Sequence, residues 1–246
     1  LEPVGFGTER VEETVKEIFP NIKVCRLDVD TAGTKSAHEK IIREFEEGKV
    51  DVLVGTQMVS KGLDFERVRL VGILSADALL NFPDFRAYER AYQMMAQVSG
   101  RAGRKNKRGL VVIQTNSPDH PIIELVKNND YQMLYKEQIL QRQIYKYPPF
   151  YRLIYINLKG REFEKVEKAA QFLAVQMRKV FSDRVYGPDR PVVMRVQQLY
   201  IQRIMLKEEQ TSSFDKAKEL LKILTDQTLS LPQFKSLFIQ IDVDPM

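Results

Sequence analysis

The stretch Val50-Asp51-Val52-Leu53-Val54-Gly55-Thr56-Gln57-Met58-Val59-Ser60-Lys61-Gly62-Leu63-Asp64-Phe65 sets the architecture of the first half of the chain. A short β-branched run, Val50 to Val54, breaks into a loop of hydroxyl, amide and ammonium groups, as a strand does where it ends at a polar surface. Val68 to Leu74 is a second such run. It is followed by a helical segment from Phe85 to Val98 and a third apolar strand from Gly109 to Gln114. Upstream, Glu9 to Phe19 carries Val11, Val15 and Ile18 at helical spacing, Lys23 to Leu27 is strand-like, and Ala37 to Glu47 presents Ile41, Ile42 and Phe45 on one face. Strands alternating with helices at these intervals predict an α/β unit: a parallel sheet with helices on both faces. Its expected extent is residues 1–128.

A helical segment from Asp130 to Tyr147 ends at Pro148-Pro149, so residues 129–149 read as a helical linker. Beyond it come a strand from Arg152 to Leu158, a helix from Phe163 to Phe181, strand-like runs at Val192 to Val196 and Leu199 to Leu206, a helix from Phe214 to Leu229, and a strand from Leu237 to Val243. That βαββαβ order predicts a ferredoxin-like α+β domain over residues 150–246, with two helices on one face of an antiparallel sheet.

The chain has 246 residues, 43% hydrophobic and 29% charged, a composition that excludes disordered and collagen-like classes. No apolar run is long enough to span a bilayer, and the N-terminal LEPVGFGTER lacks a signal peptide's basic and apolar regions. Cys25 is the single cysteine, so no intrachain disulfide and no cysteine-built zinc site can form, and a reducing, cytoplasmic compartment is expected. Opening on Leu1 rather than Met suggests an excised piece of a longer chain. The net charge of +5 is unevenly placed: 19 basic residues face 19 acidic ones up to Asn128, and 19 face 14 beyond it. The excess points to an acidic partner, such as nucleic acid, for the second half.

Two strings carry chemistry. Open parallel sheets bind ligands beyond the carboxyl ends of their strands, where Thr56, Gln57, Ser60 and Lys61 are suitable donors to phosphate oxygens and Asp64 can accept from a ribose hydroxyl. The same residues also make an ordinary polar βα loop, with Gly62 supplying a tight turn. The second string, Gln97-Val98-Ser99-Gly100-Arg101-Ala102-Gly103-Arg104, closes a helix. Arg101 and Arg104, three residues apart, can both face a phosphate chain. They also read as a basic helix end that complements the macrodipole.

Together the two strings resemble motifs V and VI of the superfamily-2 helicases. With Gly7-Thr8-Glu9-Arg10, Arg26-Leu27-Asp28-Val29-Asp30-Thr31, Ala76-Asp77, Phe82-Pro83-Asp84-Phe85-Arg86 and Tyr147-Pro148-Pro149-Phe150, the chain resembles the PriA family of primosomal replication-restart helicases over nearly its whole length. The resemblance implies a second RecA-like helicase lobe followed by the family's C-terminal domain. It implies that Arg101 and Arg104 meet the triphosphate, with Arg104 the arginine finger and Gln97 supporting the site, and that Gly62 and Asp64 join the nucleotide to DNA contacts at Thr56, Gln57, Ser60 and Lys61. It further implies a 3′-to-5′ DNA helicase at stalled or repaired replication forks that starts primosome assembly. ATP and Mg²⁺ would bind together with an absent first lobe, and zinc would belong to the parent protein only. The implied partners are branched and single-stranded DNA, single-stranded DNA-binding protein and other primosome proteins, with no membrane. The alternatives are a non-catalytic DNA-binding and docking module, or a lobe of another superfamily-2 remodelling helicase.

The chain lacks a Walker A motif: Ala32-Gly33-Thr34-Lys35-Ser36 has no Gly-Lys pair and reads instead as the cap of the following helix. A DEAH-type acidic motif is also missing, so the chain alone is expected not to hydrolyse ATP. His38 and His120 have no metal-ligand pattern, and Cys25, Met94 and Met95 read as packing residues. Phe82 and Phe85 fit a DNA-sensing loop as well as a loop packed on its own lobe. In the second domain Arg195, Gln197, Gln198, Tyr200, Gln202 and Arg203 mix groups that suit DNA, or a solvated sheet face.

Overall fold

The computed structural model describes residues 7–28, 30–31, 34–56, 67–102, 109–210 and 213–245. The chain forms two compact units, Leu1–Tyr135 and Lys136–Met246.

In the first unit, helix α1 (Thr8–Ile18) precedes strand β1 (Val24–Leu27), and helix α2 (Lys35–Glu46) precedes β2 (Val52–Gly55). Thr34 is the α2 cap, its hydroxyl accepting from the Ala37 N–H at 3.2 Å, as the sequence predicts. β1 and β2 pair in parallel from Val24 opposite Val52 to Leu27 opposite Gly55. β3 (Leu70–Ile73) and β4 (Leu110–Ile113) form a second parallel pair. Between them lie α3 (Ala76–Leu80) and α4 (Ala87–Ser99), and α5 (Pro121–Asn128) follows β4. Among the described residues the strands therefore form two two-stranded parallel ladders.

Met95, Ala91, Tyr92, Ile122 and Leu134 are buried together, so α4, α5 and the start of the next helix share one core. Met94 is only half-buried, and Cys25, expected in the core, is half-buried too, because β1 meets a partner strand on one side only among the described residues. The periodicity missed α3 and α5. These are five and eight residues long, and α5 is set by its ends: His120 Nδ1 accepts from the Ile122 N–H, Pro121 opens the helix, and Asn129 closes it in the left-handed region at φ 52°.

Helix α6 (Tyr131–Ile144) leads into the second unit, which contains β5 (Tyr151–Gly160), α7 (Phe163–Phe181), β6 (Val185–Asp189), β7 (Arg195–Val196), β8 (Leu199–Glu209), α8 (Phe214–Ser230) and β9 (Phe238–Val243). The strand order is β6-β8-β5-β9 with every pair antiparallel, the ferredoxin-like arrangement, and β7 adds to β8 as a short hairpin arm. Ile154, Ile156 and Leu158 alternate along β5 into a core shared with Ile204 and Leu206 of β8. Ala169, Ala170 and Ala174 bring the α7 backbone close to that sheet, and Leu173 and Met177 fill the space between. Truncating a fully buried Leu173 to Ala would cost about 2–5 kcal/mol.

The second strand of the fold departs from expectation. It is Val185–Asp189, whereas the Val192 to Val196 run contributes only Arg195 and Val196. Gly187-Pro188 disguises β6 as a turn. An edge strand tolerates proline, and the β6–β8 register shifts between Tyr186 and Asp189.

Lys207 lies buried on the sheet face opposite the Leu206 core. Its ammonium donates to the Tyr145 carbonyl at 2.7 Å and sits 3.6 Å from the Tyr147 ring centroid and 4.9 Å from that of Tyr186. Burial, with the Lys146 charge, pushes it down to about 8. The segment entering β5 is thereby held on the sheet.

Candidate functional site

The carboxyl edge of the β1–β2 ladder gathers the first set of polar side chains. The ladder ends with Leu27 opposite Gly55, so Asp28 and Thr56 follow at the same edge. Asp28, buried, accepts from Thr8 Oγ1 at 2.5 Å, from the Thr31 N–H at 2.9 Å and from Thr31 Oγ1 at 3.0 Å. Arg26 Nε stands 3.0 Å from Oδ2, the oxygen that the Thr8 hydroxyl also binds, while both Thr31 groups bind Oδ1. The Thr8 hydroxyl, ahead of the Thr31 groups and the Arg26 charge, holds this carboxyl at about 2 against the opposing effect of burial. Arg26 also comes within 3.9 Å of Glu9 and Glu12 on α1. The GTE and RxDxDT strings, 20 residues apart, thus form one charged network at the end of a parallel strand. Thr56 beside it is exposed.

The β3–β4 ladder has a matching edge. Asp77, in the first turn of α3, accepts from the Asn116 N–H at 2.9 Å and from Thr115 Oγ1 at 2.8 Å, and these bonds, the Asn116 one foremost, lower its carboxyl below the ordinary range. Ser75 before it takes the left-handed conformation at φ 55°. In the loop ahead of α4, Asp84 binds Arg86 Nε at 3.1 Å and Arg90 Nη1 at 3.3 Å. Burial raises the Asp84 carboxyl, but the Arg86 side-chain and backbone hydrogen bonds and the two arginine charges outweigh it and leave the group lowered. The Arg86 guanidinium lies 4.9 Å from the Phe85 ring centroid, while Phe82 is exposed.

Gln97 is exposed on the last turn of α4, and Arg101 is half-buried just past its end, its N–H donating to the Val98 carbonyl. Gly100 keeps right-handed helical angles, so the chain leaves α4 without a left-handed cap. Ser99 Oγ is buried and has no hydrogen-bond partner among the described residues. Arg104, Gln57, Ser60, Lys61, Gly62 and Asp64 lie outside the described residues. Sequence reasoning missed the pairings of Thr8 with Asp28 and of Asp77 with Thr115. The one available signal was a hydroxyl residue in one string facing an unmatched carboxylate in another.

The model of the family described as helicase conserved C-terminal domain matches residues 6–106, enclosing both the Val54 to Phe65 and Gln97 to Arg104 strings. The model described as primosomal protein N C-terminal domain matches residues 143–246. The replication restart protein PriA of Bacillus subtilis is 41% identical over 245 residues, covering 98% of this chain and 30% of that protein. The chain belongs to the PriA family. The PriA proteins of Synechocystis and Treponema pallidum are 38% and 37% identical, covering 100% and 98% of the chain and 29% and 36% of their own lengths. The chain therefore spans about a third of these PriA relatives and corresponds to their helicase C-terminal and PriA C-terminal domains. Its α/β and ferredoxin-like units are the expected fold classes. Among the described residues no helix is long and apolar enough to cross a membrane.

Proposed function

We propose that the chain supplies the second motor lobe and the DNA-docking domain of an ATP-dependent, 3′-to-5′ DNA helicase that works in the cytoplasm and rebuilds the primosome at stalled or repaired forks. The observation that carries this reading is the match of one helicase model to residues 6–106, which holds both phosphate-suited strings within a single unit. ATP binds between this lobe and an upstream one. Arg104 meets charge developing on the γ-phosphoryl group as the arginine finger, Arg101 holds the triphosphate, and Gln97 supports both. Gly62 and Asp64 connect the nucleotide to Thr56, Gln57, Ser60 and Lys61 along the DNA backbone. In this reading Mg²⁺ binds with ATP against the upstream lobe, and zinc belongs to the parent protein only. Branched and single-stranded DNA, single-stranded DNA-binding protein and other primosome proteins are its partners.

ATP turnover of the chain by itself and within the full-length protein tests the proposal. The chain alone should hydrolyse no ATP, and the full-length protein should hydrolyse it when DNA is added. Fork binding by a full-length protein that shows no DNA-stimulated hydrolysis would replace the motor with the docking-module reading.

A further inference from the structure

The six residues proposed from sequence as a DNA surface in the second unit do not share a face. Gln202 is buried. Arg203 points to the side of the sheet away from the core, its Nε donating to Asn157 Oδ1 at 2.9 Å and its guanidinium 4.4 Å from the Tyr155 ring centroid. Tyr200, opposite Gly160, is on the helix-bearing side and packs against the core. There it meets a different set of partners. The Phe163 and Tyr200 rings stand edge to face with centroids 5.8 Å apart, the Arg195 guanidinium is 5.0 Å from the Tyr200 centroid, and Arg190 is 4.7 Å from that of Phe163. The result is a stack in the order Arg190, Phe163, Tyr200, Arg195.

Both arginines are exposed. Arg190 has a long acidic contact, with Glu167 at 3.9 Å, while nearby Glu162 is taken by Lys165 at 2.8 Å. Beside the stack the hairpin arm leaves Val192, Val193, Met194 and Val196 between 46% and 64% exposed, an apolar run that a solvated sheet face does not explain. The arm turns through Gln197 and Gln198, both at positive φ, 48° and 66°. Two side-chain-bearing residues in left-handed conformation are held there by the Arg195–Tyr200 and Val196–Leu199 pairing, which fixes the arginine over the ring.

We infer that the Arg190–Phe163–Tyr200–Arg195 stack, with the apolar arm beside it, is a platform for an unpaired DNA strand. The arginines would take successive phosphates and the bases would stack on ring and guanidinium planes against Val192, Val193 and Met194. DNA fits better than an apolar protein partner because cations flank the rings on both sides and the whole basic excess of the chain lies in this half. The inference rests on the proposed DNA function and names the strand and the residues that hold it.

Fluorescence anisotropy of the 246-residue chain with labelled oligothymidylate, and with an abasic strand of equal length, tests the platform. Tyr200→Leu should weaken oligothymidylate binding about tenfold and leave the abasic strand nearly unchanged, a selectivity that loss of structure cannot produce. The exposed-residue variants Arg190→Ala and Arg195→Ala should weaken both strands and lower the salt slope by about one each. Arg203→Ala should bind as wild type. Wild-type binding by all three stack variants would overturn the platform while leaving DNA binding by the family reading intact, and loss confined to Arg203→Ala would move the site to the open sheet face. A chain that binds neither strand would overturn both the platform and the DNA-docking role of this unit.

Discussion

At Asp28 a carboxylate is surrounded by groups that bind only its ionised form. The Thr8 hydroxyl contributes most, followed by the Thr31 N–H and hydroxyl and the Arg26 charge, and together they hold the group at about 2. A carboxyl lowered on folding stabilises the native state fully above its unfolded pKa of about 4, and that contribution drains away as acidification approaches 2. The first unit should therefore lose its α1–β1 junction between about pH 4 and pH 2. Thr8→Val should shift the Asp28 carboxyl, followed by its NMR titration, upward toward the ordinary aspartate range. An unchanged titration would mean that the hydroxyl does not set it. This pairing could not be read from sequence, because its partners are 20 residues apart and belong to a helix start and a strand end that no common period links. The Gln97 to Arg104 string, by contrast, is a local pattern, and its site role stays a proposal because Gly103 and Arg104 lie outside the described residues.

Among the elements, legibility followed length and periodicity. Helix α7 runs from Phe163 to Phe181 as predicted, since Val166, Ala170, Leu173 and Met177 repeat at helical spacing over 19 residues. Strand β6 was hidden because edge position, not composition, makes Gly187-Pro188 acceptable in a strand. The Val192 to Val196 run reads as a longer strand because Val192 and Val193 have strand composition, while the pairing with β8 ends at Met194, whose carbonyl accepts from the Ile201 N–H at 3.0 Å. Its two-residue turn has the type I′ signature of positive φ at both central positions, where Asn-Gly is the natural choice and each Gln costs roughly 1 kcal/mol. Replacing Gln197-Gln198 with Asn-Gly should raise the urea midpoint of the second unit, by about 1–2 kcal/mol in unfolding free energy. A lower midpoint would show that the glutamine side chains stabilise the turn by contacts that outweigh its strain.

Across the whole molecule, charge and chemistry are divided between the units. The half that carries the phosphate-suited strings is neutral, and the half that carries the Arg–aromatic stack holds the entire +5. That division suits the proposed roles, in which the first unit would meet nucleotide through a few placed arginines and the second would hold a polyanion over a broader surface. The motor assignment depends on Arg104 facing the γ-phosphoryl group when the upstream lobe completes the site. DNA-stimulated ATP turnover of the full-length protein carrying Arg104→Ala measures this directly. A fall of about 10³-fold or more with DNA binding retained is the predicted result, and wild-type turnover in that variant would contradict the assignment.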